Sequence, residues 1–289
     1  MDCSYHCRIK KELDLSGGIF YYRYERIKSV LYKVLIITVL IITGGLYAQG
    51  IDINYSYWTF NDIPLGQRVK LEPSVKIKNT GMLEREYEFS VFTGNIDYYS
   101  SFPSLRYVDL PEPIRIMPGE EYEIDIYLEL PYVPSNFNQH WVLYLEVNSK
   151  ANDWEPVSLS GIVKMLIETE AGYIQQQVAG LAPSVINLTP EIKEFNFWVA
   201  NLSFLPESLE FSLSPPERVD FIDRIIGYNR TVDFVRLEKN SLTVRAGERL
   251  QVKGSTKLPP NYDNDPLEAL ILIREKSRDR REFIRVLLK

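Results

Sequence analysis

Cysteine and histidine are almost missing from this sequence of 289 residues, which holds two of each. Cys3, His6 and Cys7 all lie in the first seven residues, so His140 is the one thiol or imidazole side chain in the rest of the chain. Residues after 7 can therefore form no disulfide, no Cys–His pair and no multi-histidine zinc site. Any core in this part must be held by burial and hydrogen bonding alone.

Motifs for catalysis and for phosphate binding are also missing. The sequence has no Gly-x-Ser-x-Gly elbow, no glycine-rich phosphate loop and no dinucleotide fingerprint. Acidic residues are plentiful, but Glu123, Asp125 and Glu129 alternate with apolar residues, which is typical of the solvated face of a strand. We expect a protein that is not an enzyme and that holds no cofactor and no metal. A hydrolase of the cell envelope that uses a carboxylate pair is the least favoured alternative.

The charge balance also excludes one class of partner. The net charge is −6, and residues 1–48 hold seven basic but only four acidic residues, so the remainder is more acidic still. An acidic surface repels phosphate backbones. We therefore expect no nucleic acid partner.

Residues 1–48 differ in composition from the rest and are interpreted as a leader. Basic residues from Arg23 to Lys33 precede the uncharged run Val34–Ala48, which ends in small residues. Fifteen helical residues span about 22 Å, which is less than the roughly 30 Å of a bilayer core. The hydrophobic part, residues 33–48, is therefore typical of a signal peptide, and a retained membrane anchor is the alternative. We expect an exported protein, periplasmic or extracellular, or anchored in the inner membrane.

One pattern occurs twice in the exported part. Pro113–Pro131 and Ser241–Pro259 each read as a short strand, a Gly-Glu turn and a longer alternating strand that ends in Leu-Pro. Gly119 and Gly247 occupy the same place in the two copies, 128 residues apart. Short alternating strands with frequent turns are typical of a β-sandwich, and its repetition predicts two of them.

The predicted fold class is all-β: two tandem immunoglobulin-like sandwiches of seven strands each, preceded by the N-terminal hydrophobic helix. The first sandwich is predicted at residues 51–170 and the second at residues 183–289. The linker between them is predicted at residues 171–182, which are rich in glutamine and glycine.

The last strand of the first sandwich is the candidate binding element. In the run Val157–Ile167, the side chains of Val163, Met165 and Ile167 share one face, and Lys164 lies on the other. A strand at the edge of a sheet offers backbone groups to which a partner can add a strand. The alternative is that the apolar side chains complete the core of their own sandwich.

The sequence resembles the periplasmic pilus-assembly chaperones, and more loosely the seven-stranded sandwiches that include the major sperm protein. The similar segments are Pro113–Pro131, His140–Val147 (HWVLYLEV) and Gly161–Ile167 (GIVKMLI). The resemblance implies that Lys164 holds the terminal carboxylate of a partner subunit and that the last strand completes the partner's fold. It further implies that Arg68 is the second basic residue of that site.

Together these features predict an exported binding protein of the cell envelope whose partner is another envelope or secreted protein. In the more specific version it is an assembly chaperone or adaptor of the pilus or fimbrial type that works by edge-strand pairing. The alternative is a structural spacer of a surface or secretion apparatus, in which the two sandwiches only set distance and orientation.

Overall fold

The computed structural model describes residues 50–150, 158–172, 180–216, 222, 225, 227–260 and 262–289. In this part the chain forms 22 strands, β1–β22, and its helical elements are two short 3-10 helices, Leu105–Tyr107 and Pro134–Asn136. None of the helices in this part could span a bilayer. The predicted leader helix, residues 33–48, lies outside the described residues.

Strands β1–β12 form the first module, which ends near Gly172. Many of them are short because turns and irregular backbone interrupt the sheets. Their bounds are β1 Ile51–Ile53, β2 Tyr57–Ile63, β3 Arg68–Lys70, β4 Val75–Asn79, β5 Arg85–Thr93, β6 Ser100–Ser101, β7 Val108–Asp109, β8 Ile114–Ile116, β9 Glu121–Ile124, β10 Tyr127–Glu129, β11 His140–Ser149 and β12 Leu159–Thr169.

Strands β13–β22 form the second module, which begins at Gly180. Their bounds are β13 Leu181–Ala182, β14 Val185–Leu188, β15 Glu194–Ala200, β16 Glu207–Ser214, β17 Asn229–Arg230, β18 Val235–Leu237, β19 Ser241–Val244, β20 Arg249–Thr256, β21 Leu267–Glu275 and β22 Arg280–Leu288.

Each module packs two layers of sheet around its own apolar core. In the first module one layer has the order β2-β12-β11-β5-β8, and the opposite layer consists of β1-β4-β9 and β3-β10-β7. In the second module the corresponding layers are β14-β22-β21-β16-β19 and β13-β15-β20-β18. The core of the first module includes Trp141, and that of the second includes Phe197, which lies edge-on against Phe211. The predicted pair of tandem β-sandwiches is confirmed.

The two modules pair their strands in the same way. In each, a hairpin (β11–β12 or β21–β22) forms the centre of one sheet, and an early strand (β2 or β14) adds to the hairpin's last strand in parallel. A two-residue strand, β6 or β17, pairs in parallel with the hairpin's first strand. The duplication seen in the sequence therefore extends over the whole sandwich.

The repeated Gly-Glu turn has the same hydrogen bonds in both modules. The Gly119 amide donates to the carbonyl oxygen of Asn79 at 2.7 Å, and the Asn79 side chain donates to the last carbonyl of β8 at 2.9 Å. The Gly247 amide donates to the carbonyl oxygen of Asn201 at 2.9 Å, and the Asn201 side chain donates to the last carbonyl of β19 at 2.9 Å. Both glycines have positive φ, 80° and 71°, which other residues adopt at a cost.

Two details of the predicted organisation are corrected. The longer strand of the first copy is divided into β9 and β10, which pair with different neighbours, whereas β20 in the second copy is continuous. Leu181–Ala182, placed in the linker from the sequence, pairs with β15 as β13 and so belongs to the second module's sheet.

Gly50 and Thr80–Leu83 belong to one compact unit, and Ile51–Asn79 and Glu84–Lys289 belong to a second, larger one. Within that small unit the Thr80 amide donates to the carbonyl oxygen of Gly50 at 3.0 Å, and the Gly50 amide donates to the Thr80 hydroxyl at 3.0 Å. Both sandwiches lie in the larger unit.

Candidate functional site

A buried ion-pair cluster joins the two modules. Arg285 of β22 is fully buried, and its guanidinium donates two parallel hydrogen bonds to the carboxylate of Glu168 at the end of β12, at 2.7 and 2.6 Å. It also donates to Glu268 of β21. The Tyr99 hydroxyl donates to Glu168 at 2.8 Å, and the Ile225 amide donates to Glu268 at 3.0 Å. The bidentate pairing of Arg285 with Glu168 is the strong form of an arginine–carboxylate contact, and it fixes the geometry of both side chains.

The cluster shifts the pKa of each acid in a different direction. Burial alone would raise the pKa of Glu168, but the charge and hydrogen bonds of Arg285 outweigh it and hold the pKa below its usual range. For Glu268, burial is the larger effect and raises the pKa, although Arg285 opposes the rise. The pKa of Arg285 itself is raised, because its two carboxylate partners outweigh the effect of burial. The cation therefore stays charged inside the junction.

Apolar side chains surround the cluster. His140 of β11 stacks flat on Phe283 of β22, with the ring centres 3.8 Å apart and the planes 7° apart. Burial lowers the pKa of this histidine, although the negative charge of Glu168 works against the shift. Leu166 of β12 and Leu270 of β21 belong to the same buried group. His140 thus lies buried against the second module.

Asn138 ties the start of the second module to the first. Its side-chain oxygen accepts hydrogen bonds from the amides of Gly172, at 3.0 Å, and Ser184, at 2.7 Å. Its side-chain nitrogen donates to the carbonyl oxygen of Gly172 at 3.1 Å. The side chain is buried, so these bonds are shielded from water. The Arg285 cluster and the hydrogen bonds of Asn138 together fix the two modules relative to one another.

A row of four side chains crosses the first module's sheet on the side away from its core. The register places Phe92 of β5 opposite Tyr144 of β11, Tyr144 opposite Lys164 of β12, and Lys164 opposite Tyr57 of β2. The rings of Phe92 and Tyr144 are stacked, with centres 5.0 Å apart. Phe92 is 39% exposed, Tyr57 is 48% exposed, and the neighbouring Ile162 is 52% exposed. We call these four residues, together with Ile162, the aromatic row.

The same row exists in the second module, and its cation is Arg285. There the register places Ser214 opposite Leu270, Leu270 opposite Arg285, and Arg285 opposite Val185. Lys164 and Arg285 therefore hold equivalent positions in the two sandwiches. The second module's cation is buried against a carboxylate of the first module, whereas Lys164 is only half-buried.

The predicted edge position of the Val157–Ile167 run is wrong for its second half. Strand β2 pairs in parallel with Lys164–Thr169 of β12, so β12 is covered on both sides there. The chain changes from one sheet to the other between β1 and β2, and this brings β2 alongside β12. Only the first half, Leu159–Val163, pairs on one side alone among the described residues, while residues 151–157 lie outside them.

Three of the predicted site residues are buried in their own module. Val163, Met165 and Ile167 are fully buried and belong to the first module's core. This is the arrangement that the alternative interpretation of the run predicted. The side chains available to a partner are instead those on the opposite face, of which Lys164 is the one named from the sequence.

Arg68 lies on a different sheet from Lys164. It is on β3, where it forms an ion pair with Asp109 of β7 and lies over the ring of Tyr127 of β10, 3.9 Å from the ring centre. The structure thus does not bring the two predicted basic residues together on one sheet face. No cluster of three or more potential metal ligands occurs in the described part of the chain.

Sequence reasoning missed Glu168 and Arg285 as the residues that join the modules. The signal was present, because Arg285 interrupts the apolar run Phe283–Leu288 on the face away from the core. A charged residue in such a run needs a partner, yet the sequence gives no means of choosing which distant carboxylate supplies it.

No protein-family model matches this sequence, and no curated protein matches it. Solved structures match over most of the chain. They include a Porphyromonas gingivalis W83 protein of unknown function, with 12% identity, coverage of 83% of this chain and 99% of that chain, and a TM-score of 0.33. The periplasmic chaperone SfaE matches with 11% identity, coverage of 82% and 99%, and a TM-score of 0.30. A chain from the Salmonella enterica complex of the SafA pilin with the SafB chaperone matches with 10% identity, coverage of 82% and 95%, and a TM-score of 0.31. The predicted resemblance to periplasmic chaperones is confirmed as a remote likeness of fold, and nothing about binding follows from it.

Proposed function

We propose that this protein is an exported, non-enzymatic binding protein of the cell envelope, an assembly chaperone or adaptor that captures another polypeptide on the aromatic row of its first module. In this proposal Lys164 pairs with a carboxylate of the partner, and the resemblance to pilus chaperones implies that this is the terminal one.

The observation that carries the proposal is the equivalence of Lys164 and Arg285. At this place in the second module, the cation receives a carboxylate from outside its own sandwich, that of Glu168. The same position in the first module presents a cation beside two tyrosines and a stacked phenylalanine. Aromatic and aliphatic side chains around one charged group are the composition typical of the energetic centre of a protein interface.

The mode of capture differs from the one expected from the sequence. Because β2 covers the second half of β12, the proposal relies on the outward side chains rather than on donation of Val163, Met165 and Ile167 to the partner. Strand pairing is confined to Leu159–Val163, whose outer side has no neighbouring strand among the described residues. Ile162 would then mark the place where the partner's backbone meets the sheet.

The test compares full-length protein carrying Lys164→Ala or Lys164→Arg with the unaltered chain. Proteins captured from an envelope extract are identified by mass spectrometry, and the captured partner is then purified and titrated. We expect Lys164→Ala to weaken binding roughly ten- to a hundredfold, because a charge-assisted hydrogen bond is lost, and Lys164→Arg to retain most of it.

Lys76→Ala is the matched control, since Lys76 is an exposed lysine on the opposite sheet and forms an ion pair with Glu121. It should leave capture unchanged. Thermal stability should be nearly the same for all three variants. A loss of stability by Lys164→Ala with no effect on capture would reject the proposed site.

The structural spacer is the second candidate, and one observation favours it. The buried contacts of Asn138 with Gly172 and Ser184, together with the Arg285 cluster, fix the geometry between the modules, which a spacer requires. A spacer does not require an exposed aromatic row. If the variants Phe92→Ser and Ile162→Ser leave assembly of the surface or secretion apparatus unchanged, the spacer is favoured.

A further inference from the structure

A cleft in the first module lies where the two sheets part, beside the outer strand β2. It has a volume of about 810 Å³, within the range of about 300 to 1,000 Å³ that small-molecule sites occupy. Its wall is the segment from Asn54 to Pro64, and facing residues come from β3 and from the turn after it. Ile225 of the second module borders it as well.

The floor of the cleft is aromatic. Tyr55 and Trp58 are half-buried, and their rings meet edge to face with centres 4.1 Å apart. Phe60 lies below them in the core of the module. Aromatic faces of this kind pack against flat groups that carry apolar C–H bonds.

The rim of the cleft is polar and bears more acid than base. The carboxylates of Asp62 and Glu72 and the amide of Asn61 are exposed there. The basic residue of the lining, Lys70, is already paired with Asp125 at 2.7 Å. Asp62 also has a positive φ of 56°, a conformation that costs a non-glycine residue energy and that is common at ligand sites.

We infer that this cleft binds a neutral, hydroxyl-rich ligand, namely an oligosaccharide. A sugar ring has an apolar C–H face for Tyr55 and Trp58, and its hydroxyls donate hydrogen bonds to carboxylates and amides. The two rim carboxylates disfavour phosphates and other anions, because like charges repel. A hydrocarbon ligand would leave the polar rim desolvated and unpaired, which is unfavourable. Tyr57 of the aromatic row also borders the cleft, but the inference does not depend on Lys164.

The test is calorimetric titration of the full chain with cellotetraose, chitotetraose and maltotetraose. We expect at least one of them to bind. The double variant Asp62→Asn with Glu72→Gln keeps the shape of the rim but weakens its acceptors, so it should weaken that binding by roughly tenfold or more. Tyr55→Ala should have a similar effect, because it removes one of the two floor rings.

Two controls separate the cleft from the rest of the surface. Tyr132→Ala removes an aromatic ring that is 62% exposed elsewhere, and Glu112→Gln removes an exposed carboxylate outside the cleft. Neither should change sugar binding, and Lys164→Ala should not change it either. Unchanged thermal unfolding of the Asp62→Asn, Glu72→Gln variant shows that it remains folded.

Two results would overturn the inference. The first is that none of the three sugars binds, or that the double variant binds them as well as the unaltered chain. The second is that a proline-rich peptide, rather than a sugar, occupies the cleft and is lost with Tyr55→Ala. Release of new reducing ends from the tetrasaccharides would support sugar binding and would add hydrolysis to the role of the two carboxylates.

Discussion

The two modules share one plan of strand pairing and use the same row of it differently. In the second module the row holds Ser214, Leu270, Arg285 and Val185, and its cation is buried against the first module. In the first module the row is aromatic on both sides of Lys164 and is partly exposed. One copy of the row thus joins the two modules, whereas the other copy remains partly exposed.

This comparison shows how burial decides what a cation does. Arg285 lies where water is excluded, so removal of either partner would leave an unpaired charge in a medium of low dielectric constant. Lys164 is only half-buried, so solvent screens its charge and the charge depends less on any single neighbouring group. The first arrangement holds a structure together permanently, and the second suits reversible binding.

Removal of the buried cation in the second module should have the largest effect on stability. Arg285→Met should lower the free energy of unfolding by about 3–5 kcal/mol, because Glu168 and Glu268 would remain buried without their cation. Lys164→Met should change it by less than about 1 kcal/mol. Urea denaturation of the two variants measures both values, and equal losses would contradict the distinction between the rows.

Changes in the repeated Gly-Glu turn, which both modules share, should have a smaller effect on stability. Asn79→Ala and Asn201→Ala each remove a buried side chain that holds the repeated Gly-Glu turn, and each should destabilise by about 1–3 kcal/mol. Denaturant titration of both variants measures both losses. A loss in one module with none in the other would show that the turns are not equivalent.

The junction should also respond to acid through His140. Its pKa is lowered in the folded state, so the stability that it contributes is present above the unfolded pKa of about 6.5 and is lost as pH falls below that value. Glu168 adds a loss only below about pH 4.5, where its unfolded form takes up a proton, and Glu268, with a raised pKa, acts in the opposite direction. Glu282 and Arg285 also face the ring.

The change His140→Phe keeps the stack on Phe283 and removes the titration. Between about pH 6.5 and 5, the free energy of unfolding should then fall less steeply than in the unaltered chain. The difference in slope should be at most about 1.4 kcal/mol per pH unit, which corresponds to one proton. Urea denaturation at several pH values measures the slope. The same slope in both proteins would show that the acid response of the junction comes from its carboxylates.

Much of the fold could be predicted from the sequence because the repeated pair depends on local signals. Alternating apolar residues, a glycine that must adopt positive φ and a closing Leu-Pro are all readable in a short window. The equivalence of Asn79 and Asn201 is visible in the sequence as well, since each ends a run of alternating apolar residues.

The candidate site could be predicted only in part because it depends on long-range pairing. Alternation placed Lys164 on the outward face of its strand and the resemblance to pilus chaperones implied its role, but the cover that β2 provides depends on a change of sheet between β1 and β2, which leaves no periodic signal. Tyr57, Phe92 and Tyr144 join Lys164 only through the register of four strands, of which β2 and β5 are distant in sequence from the β11–β12 hairpin. Composition and spacing cannot supply that register.

The most direct test of the central claim is a double-mutant cycle on the captured partner. The partner segment is prepared with a free and with an amidated C-terminus, and each form is titrated against the unaltered chain and against Lys164→Met. We predict that amidation weakens binding to the unaltered chain by roughly ten- to a hundredfold and has almost no further effect on Lys164→Met. Equal weakening of both proteins by amidation would show that Lys164 does not receive the carboxylate, and the proposed role of the aromatic row would be wrong.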